Sequence, residues 1–252
     1  EENQVKELNR LSVSYNKMLE RLSEAFEIQR QFTENAAHEL RTPLSLMQVQ
    51  LDLYNSGKHP GNDADTIQTI KMVTEQNERL SKMVKTLLDM SELQTVGRDE
   101  TIVVNALVDE VLADLEPLAQ EKNIKLIGKC KDVNMVGSDI LIYRLVYNLV
   151  ENAIKYNHSG GQVIVEAYEK EKQVYLTVED TGNGIPEELK ERVFEPFFRV
   201  DKSRSRELGG VGLGLALVNE IVRVHDGNIA IRSNPSGGTI IEVQFAVNRT
   251  TA

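Results

Sequence analysis

Over the first 95 residues, apolar side chains return at alternating spacings of three and four. Val5, Leu8, Tyr15, Leu19, Leu22 and Phe26 form one heptad row with Ser12 as its polar exception, and neither Pro nor Gly interrupts residues 1–30. A second row, Thr33, Ala37, Leu40, Leu44, Met47, Leu51 and Tyr54, continues the same long helix. Gly57, Pro60 and Gly61 end it near Ser56, and Asn62 or Asp63 can cap the next helix. The seam of that helix is Ile70, Val73, Leu80, Val84 and Leu87, with Asn77 a polar interruption of the kind that fixes register. Two helices with one apolar stripe each cannot bury both stripes as a lone hairpin. Pairing with a second copy gives a four-helix bundle, so residues 29–97 are expected to form a dimerisation domain, with a hinge at 96–99.

From residue 100 the pattern becomes mixed. An apolar run at 102–104 leads into a helix over 105–121, strands are expected at 125–128 and 134–136, and Ser138 or Asp139 caps a helix over 140–156. Residues 162–169 and 173–179 alternate as a hairpin does, turning at 170–172. A polar, Gly-rich stretch (180–211) precedes a helix over 212–225. Strands at 228–233 and 239–247 then flank the turn Asn234-Pro235-Ser236-Gly237-Gly238. Several helices with a mostly antiparallel sheet indicate a two-layer α/β sandwich, and an α+β chain of two domains.

Composition narrows the function. A formal charge of −10 and a pI of about 5.1 argue against a nucleic-acid-binding surface. The single Cys130 cannot form an intramolecular disulfide, which fits a reducing compartment. No apolar run approaches the roughly 20 residues that span a bilayer, and no signal peptide is visible. The opening Glu-Glu, without methionine, reads as the start of a fragment.

The first chemical candidate is His38, inside FTENAAHELRTPL. At about 100° per residue it falls about 140°, and Thr42 about 180°, from the middle of the apolar row, so both face water one turn apart. A neutral imidazole is a nucleophile near pH 7, and Glu39 can accept one ring N–H and free the other nitrogen. Pro43 removes a backbone donor and should bend the helix there. A surface histidine on an amphipathic helix is the plainer alternative.

The second set is dispersed. Asn148, Asn152 and Lys155 share one helix face; an amide oxygen suits Mg²⁺ and a lysine there can reach a phosphate, although a solvated face has the same composition. Asp180 ends an alternating strand and is followed by Thr181-Gly182-Asn183-Gly184. A carboxylate there can accept a hydrogen bond from an exocyclic amine, and the glycines admit a ligand close to the backbone. Gly209-Gly210-Val211-Gly212-Leu213-Gly214 precedes a helix, a phosphate cradle in form. The dinucleotide fingerprint is rejected, because the charged lead-in 199–208 supplies no preceding strand. Gly238-Thr239 opens the last strand.

HELRTPL in its frame resembles the H box of sensor histidine kinases. NLVENAIKYN, DTGNGIP, VFEPFFRVD, GGVGLGLALV and GGT resemble, in order, the N, first glycine, F, second glycine and third glycine boxes of their catalytic domains. The resemblance covers about residues 30–247. It implies a Bergerat-type ATP sandwich over 98–248, ATP and Mg²⁺ as cofactors, and His38 as phosphoacceptor, with transfer onward to an aspartate of a response regulator. It further implies that Asn152 and Asn148 hold Mg²⁺ and that Asp180 recognises adenine, with Gly182 and Gly184 shaping its pocket. Gly210, Gly212 and Gly214 serve the phosphates, and residues 194–211 form an ATP lid. Lys155, Tyr156, Ile185, Leu213 and Thr239 complete the nucleotide set, with Lys202, Arg204 and Arg206 cationic candidates for the γ-phosphate or simply a solvated loop. LNRLSVSYNKMLERL resembles the second helix of a HAMP module, making residues 1–28 a signalling coiled coil and implying a membrane-embedded parent with a cytoplasmic fragment here. HELRT also resembles the phosphatase pattern of the family, with Thr42 orienting water. The rivals are an ATPase of the same fold, disfavoured because Asn148 stands where those enzymes carry a Glu base, and a dimeric ATP-binding scaffold.

Overall fold

The computed structural model describes residues 2–55, 63–93, 95–201 and 210–247, and within them the chain divides into two compact units, Glu1–Leu80 and Ser81–Ala252. The first holds α1 (Glu2–Asn55) and most of α2 (Asp63–Glu92). The residues where the first helix was expected to end, 56–62, lie outside the described residues. The two are antiparallel, since Glu39 meets Arg79 (3.6 Å) and the Tyr54 hydroxyl lies 3.5 Å from that of Thr66. Pro43 stands inside α1 and is its one buried residue among those described there.

The row that α1 turns inward shares only Leu40 and Met47 with the heptad seam. Phe32, Ala36, Glu39, Leu40, Pro43, Met47 and Gln50 are the covered positions, whereas Leu44, Leu51 and Tyr54 remain exposed. Ile70 and Val84 of α2 are likewise exposed. Upstream, Tyr15, Leu19, Leu22 and Phe26 are all exposed, while the side chains of Val5 and Leu8 lie outside the described residues.

The second unit begins inside α2, earlier than the hinge expected from the sequence. Leu93 joins the sandwich core, and Lys82 and Asp89 pair with Glu151 and Arg144 at 2.8 Å and 2.7 Å, which ties the last turns of α2 to this unit. Its elements follow as β1 (Glu100–Val103), α3 (Val104–Glu121), β2 (Lys125–Cys130), β3 (Asn134–Gly137), α4 (Asp139–Lys155), β4 (Gln162–Lys170), β5 (Gln173–Asp180), α5 (Gly214–Val224), β6 (Asn228–Ser233) and β7 (Thr239–Ala246). Five strands form a sheet in the order β2-β4-β5-β7-β6, antiparallel except for β2 with β4, and β1 pairs with β3 in a small antiparallel ribbon.

One sheet face carries the core. Val163, Val165 and Ala167 of β4, Val174, Leu176 and Val178 of β5, and Ile241, Val243 and Phe245 of β7 alternate onto it, as strand geometry requires. Leu145, Val146, Leu149 and Val150 of α4 and Val218 and Ile221 of α5 cover them. The β4–β5 connection is two residues, Glu171 and Lys172, both with positive φ, which suits the twist of a tight hairpin.

Ser138 stands before α4 as expected, but its side chain makes no capping bond. The Glu100 carboxylate accepts the Asp139 N–H instead (3.0 Å), and the Ser138 N–H donates to Nε2 of buried His225 (3.1 Å). The other ring nitrogen, Nδ1, lies 2.8 Å from the Ile221 carbonyl, so the geometry fits the Nδ1–H tautomer. His225 thereby fastens the end of α5 to the start of α4.

Candidate functional site

In the first unit, His38 is exposed on α1, and Thr42 lies one turn on, its hydroxyl donating to the His38 carbonyl (3.1 Å). The two residues share a shallow depression with Arg41, Ser45, Leu46 and Val49. Glu39 turns the other way. Its carboxylate is 3.6 Å from the Arg79 guanidinium, both side chains being mostly covered. The group that the sequence assigned to orient the imidazole is held on the α2 side of the helix.

In the second unit, a cavity of about 280 Å³ opens between α4, the end of β5, the start of β7 and the N-terminal end of α5. Asn148, Asn152, Lys155, Tyr156, Asp180, Gly184, Ile185, Gly210, Gly212, Leu213, Gly214 and Thr239 all line it; four separated motifs thus meet in one place. Leu149, Ala153, Val178 and Ile241 add apolar wall, suited to a flat ring. Gly182 does not line the cavity but donates its N–H to Asp180, so it shapes the pocket from behind. Lys202, Arg204 and Arg206 lie outside the described residues.

Asp180 presents its carboxylate in a defined way. Oδ1 accepts the Gly182 N–H (2.8 Å) and the Thr239 N–H (3.2 Å). These bonds leave Oδ2 to accept a donor from the cavity. Burial pushes the carboxyl pKa up, against the two N–H bonds, which pull it down.

On α4 the Asn148 Nδ2 donates to the Arg144 carbonyl of its own helix (2.7 Å), which turns Oδ1 outward. A Cβ on Gly214 would lie 3.0 Å from that oxygen and 3.5 Å from Asn152 Nδ2, so the glycine brings the first turn of α5 directly against both amides. At that helix start no side chain caps, and the first backbone bond is Leu217 N–H to the Leu213 carbonyl. The N–H groups of Gly214 and Leu215, two residues that line the cavity, therefore lack intrahelical acceptors, a site for an anion.

Glu151, Lys82 and Thr86 are among the cavity residues not singled out in the sequence. Glu151, read only as part of the N-box string, accepts from both Lys155 (2.9 Å) and Lys82 (2.8 Å) on one oxygen. Burial acts against its charge, yet the two ammonium groups together hold its carboxyl below the usual range. Burial pushes the Lys155 ammonium down, while Glu151 more than offsets burial at Lys82. Lys82 and Thr86 come from the last turns of α2, which the heptad pattern assigned to the helical domain.

A mostly antiparallel sheet covered by helices on one face, with a cavity of about 280 Å³ between a carboxylate and a helix start, defines a Bergerat-type ATP-binding domain. Residues 137–249 match the family of histidine kinase-, DNA gyrase B- and HSP90-like ATPases, and residues 28–96 match the His Kinase A phospho-acceptor domain. With both domains in this order, the chain belongs to the sensor histidine kinases. It is 35% identical over 231 residues to the sensor histidine kinase RppB of Synechocystis, covering 89% of this chain and 50% of that one. Against the signal transduction histidine-protein kinase ArlS of Staphylococcus aureus it is 33% identical over 248 residues, covering 95% and 53%. The chain thus spans about half the length of these curated relatives. Among solved structures, the Acinetobacter baumannii histidine kinase AdeS superposes with a TM-score of 0.69 at 26% identity, covering 84% of this chain and 98% of that one. Among the described residues no helix is long and apolar enough to cross a membrane, so the HAMP and membrane expectations rest on the sequence resemblance alone.

Proposed function

We propose that this chain phosphorylates itself on His38 with ATP and passes the phosphoryl group to an aspartate of a response-regulator receiver domain. One observation carries the reading: a single cavity gathers Asp180, Asn148, Asn152 and the uncapped start of α5, in a chain that also exposes His38 on a helix. Adenine enters against the apolar wall with its amine donating to Asp180. The phosphates lie toward Gly210, Gly212 and Gly214, with Lys155 beside them. Asn148 Oδ1 and Asn152 supply hard oxygen ligands for Mg²⁺, which when bound would offset charge on the phosphates.

Movement about residues 96–99, with release of Lys82 and Asp89 of α2 from Glu151 and Arg144, brings the γ-phosphate to the imidazole. A ring nitrogen lone pair attacks phosphorus, the bond to the β,γ-bridging oxygen breaks, and ADP leaves with that electron pair. The ring proton passes to Glu39 once that carboxylate is released from Arg79, or to water. Asn148 favours this transfer over hydrolysis, since an amide cannot take a proton from water as a carboxylate can.

The domain plan in this reading is a signalling coiled coil at 1–28, a dimerisation and phosphoacceptor domain at 29–97, and a catalytic domain at 98–248. The protein works as a homodimer within a membrane-embedded parent, and binds no nucleic acid. Incubation with γ-labelled ATP and Mg²⁺ tests the reading. Label that is lost in acid and kept in alkali marks a phosphoramidate. Release of phosphate with no retained label would make the chain an ATPase, and neither would make it a scaffold.

A phosphatase role toward the phosphorylated regulator is favoured by the Thr42 hydroxyl, exposed one turn from His38 in the same depression. It would act by positioning water. Thr42→Ala should leave His38 phosphorylation nearly intact and lengthen the half-life of the phosphorylated regulator; an unchanged half-life removes Thr42 from the role.

A further inference from the structure

The turn between β6 and β7 packs against Asp180 from outside the cavity, and one side chain of the turn bonds directly to that end of β5. Asn234 is buried, 7% exposed, in a loop whose neighbours Pro235, Ser236 and Gly237 are not. Its Nδ2 donates to the Glu179 carboxylate (2.9 Å) and to the backbone carbonyl of Asp180 (2.8 Å). Its Oδ1 accepts the Ser236 N–H (3.0 Å), its own N–H donates to the Gly238 carbonyl (3.1 Å), and its carbonyl accepts from Gly237 (3.0 Å). Both amide hydrogens therefore go to the end of β5, while its acceptors stay within the turn. The turn lies flat on Asp180: Gly238 has φ +90, and a Cβ there would collide with the Asp180 carbonyl oxygen. Immediately after it, the Thr239 N–H reaches Asp180 Oδ1.

We propose that Asn234 is a positioning residue for base recognition, setting the rotation of the Asp180 carboxylate by clamping both its own backbone and the strand start that donates to it. The inference rests on the reading of Asp180 as the acceptor of the adenine amine. A turn-forming Asn needs only bonds within its own turn. Here both donors leave the turn and end on the residue pair that carries the carboxylate. Without them, the Thr239 N–H and the Asp180 carbonyl lose their common anchor, and the free oxygen of Asp180 is no longer aimed at the amine.

The test compares ATP with purine riboside triphosphate, which lacks the 6-amino group, by direct binding to the full chain. Wild type should prefer ATP. Asn234→Ala, and Asn234→Asp, which keeps Oδ1 but replaces the donor with a repelling oxygen, should each reduce that preference about tenfold through weaker ATP binding. The affinity for the purine analogue should stay within about twofold. Because the readout is a ratio measured on bound nucleotide, loss of some folded protein does not imitate it. If both nucleotides weaken equally in both variants, or neither weakens, Asn234 serves only the turn and the proposal is overturned. Asp180→Asn is the control for the underlying reading: a preference for ATP that survives that change removes the amine contact itself, whatever Asn234 does.

Discussion

The helical unit and the sandwich unit treat their apolar side chains in opposite ways. In the sandwich, Leu145 and Val150 are 0% exposed, and strand, helix and ribbon residues from the same chain surround them. In the helical unit, Leu44 is 51% and Ile70 61% exposed, although both sit on regular heptad-like rows. A helix pair can cover one stripe per helix, and here each seam is covered only in part: Leu40, Met47, Val73 and Leu80 are half-buried, while Leu44, Leu51, Tyr54, Ile70 and Val84 stay exposed. A sandwich closes its core within one chain, whereas paired helices with a second apolar face call for another copy. That contrast suits a device in which one part assembles and the other catalyses.

The sharpest way to break the contrast is to separate the parts. Residues 1–95 alone should be a helical dimer at micromolar concentration, and residues 81–252 a monomer that still binds ATP. Analytical ultracentrifugation decides both; a monomeric N-terminal piece would leave the exposed seam unexplained. Point substitutions sharpen it. Leu145→Ala should cost about 2–5 kcal/mol of stability, independent of protein concentration. Leu51→Ala should instead weaken the dimer, so that its unfolding midpoint moves with concentration.

Smaller effects belong to the nucleotide site. Asn152→Ala should lower ATP affinity about tenfold in the presence of Mg²⁺ and little in its absence, as read by titration calorimetry. Smallest is the pH response of Asp180. Burial raises its carboxyl pKa above the usual value of 3.8, so the folded state binds that proton more readily than the unfolded chain. The group's own contribution to stability therefore rises as pH falls through the raised pKa. ATP binding does the reverse, weakening over the same interval as the acceptor is protonated. In Asp180→Asn this component of the pH profile should be absent.

Much of this was legible in the sequence because it depends on local spacing. Three-four periodicity gave both long helices, period-two alternation gave β4 and β5, and the Gly-rich strings marked loops that line one cavity. What escaped depends on partners far along the chain. Glu39 neighbours His38, but helix geometry sends the two apart and α2 brings Arg79 to the carboxylate. Ser138 was expected to cap by its type, yet Glu100 takes the free N–H of Asp139 and His225 takes that of Ser138. Glu151 stood only within the N-box string, and Asn234 only within a turn. Their importance lies in what the fold packs against them, Lys82 in one case and Asp180 in the other. No local pattern encodes those pairings.

The division of labour is tested most directly by His38→Gln. His38 is exposed, so the change should leave folding, dimerisation and ATP affinity as they are. Incubated with γ-labelled ATP and Mg²⁺, the wild-type chain should acquire acid-labile, alkali-stable label and the variant none. Label of that kind on the variant would contradict the account, because the phosphoacceptor would then lie outside the α1 site.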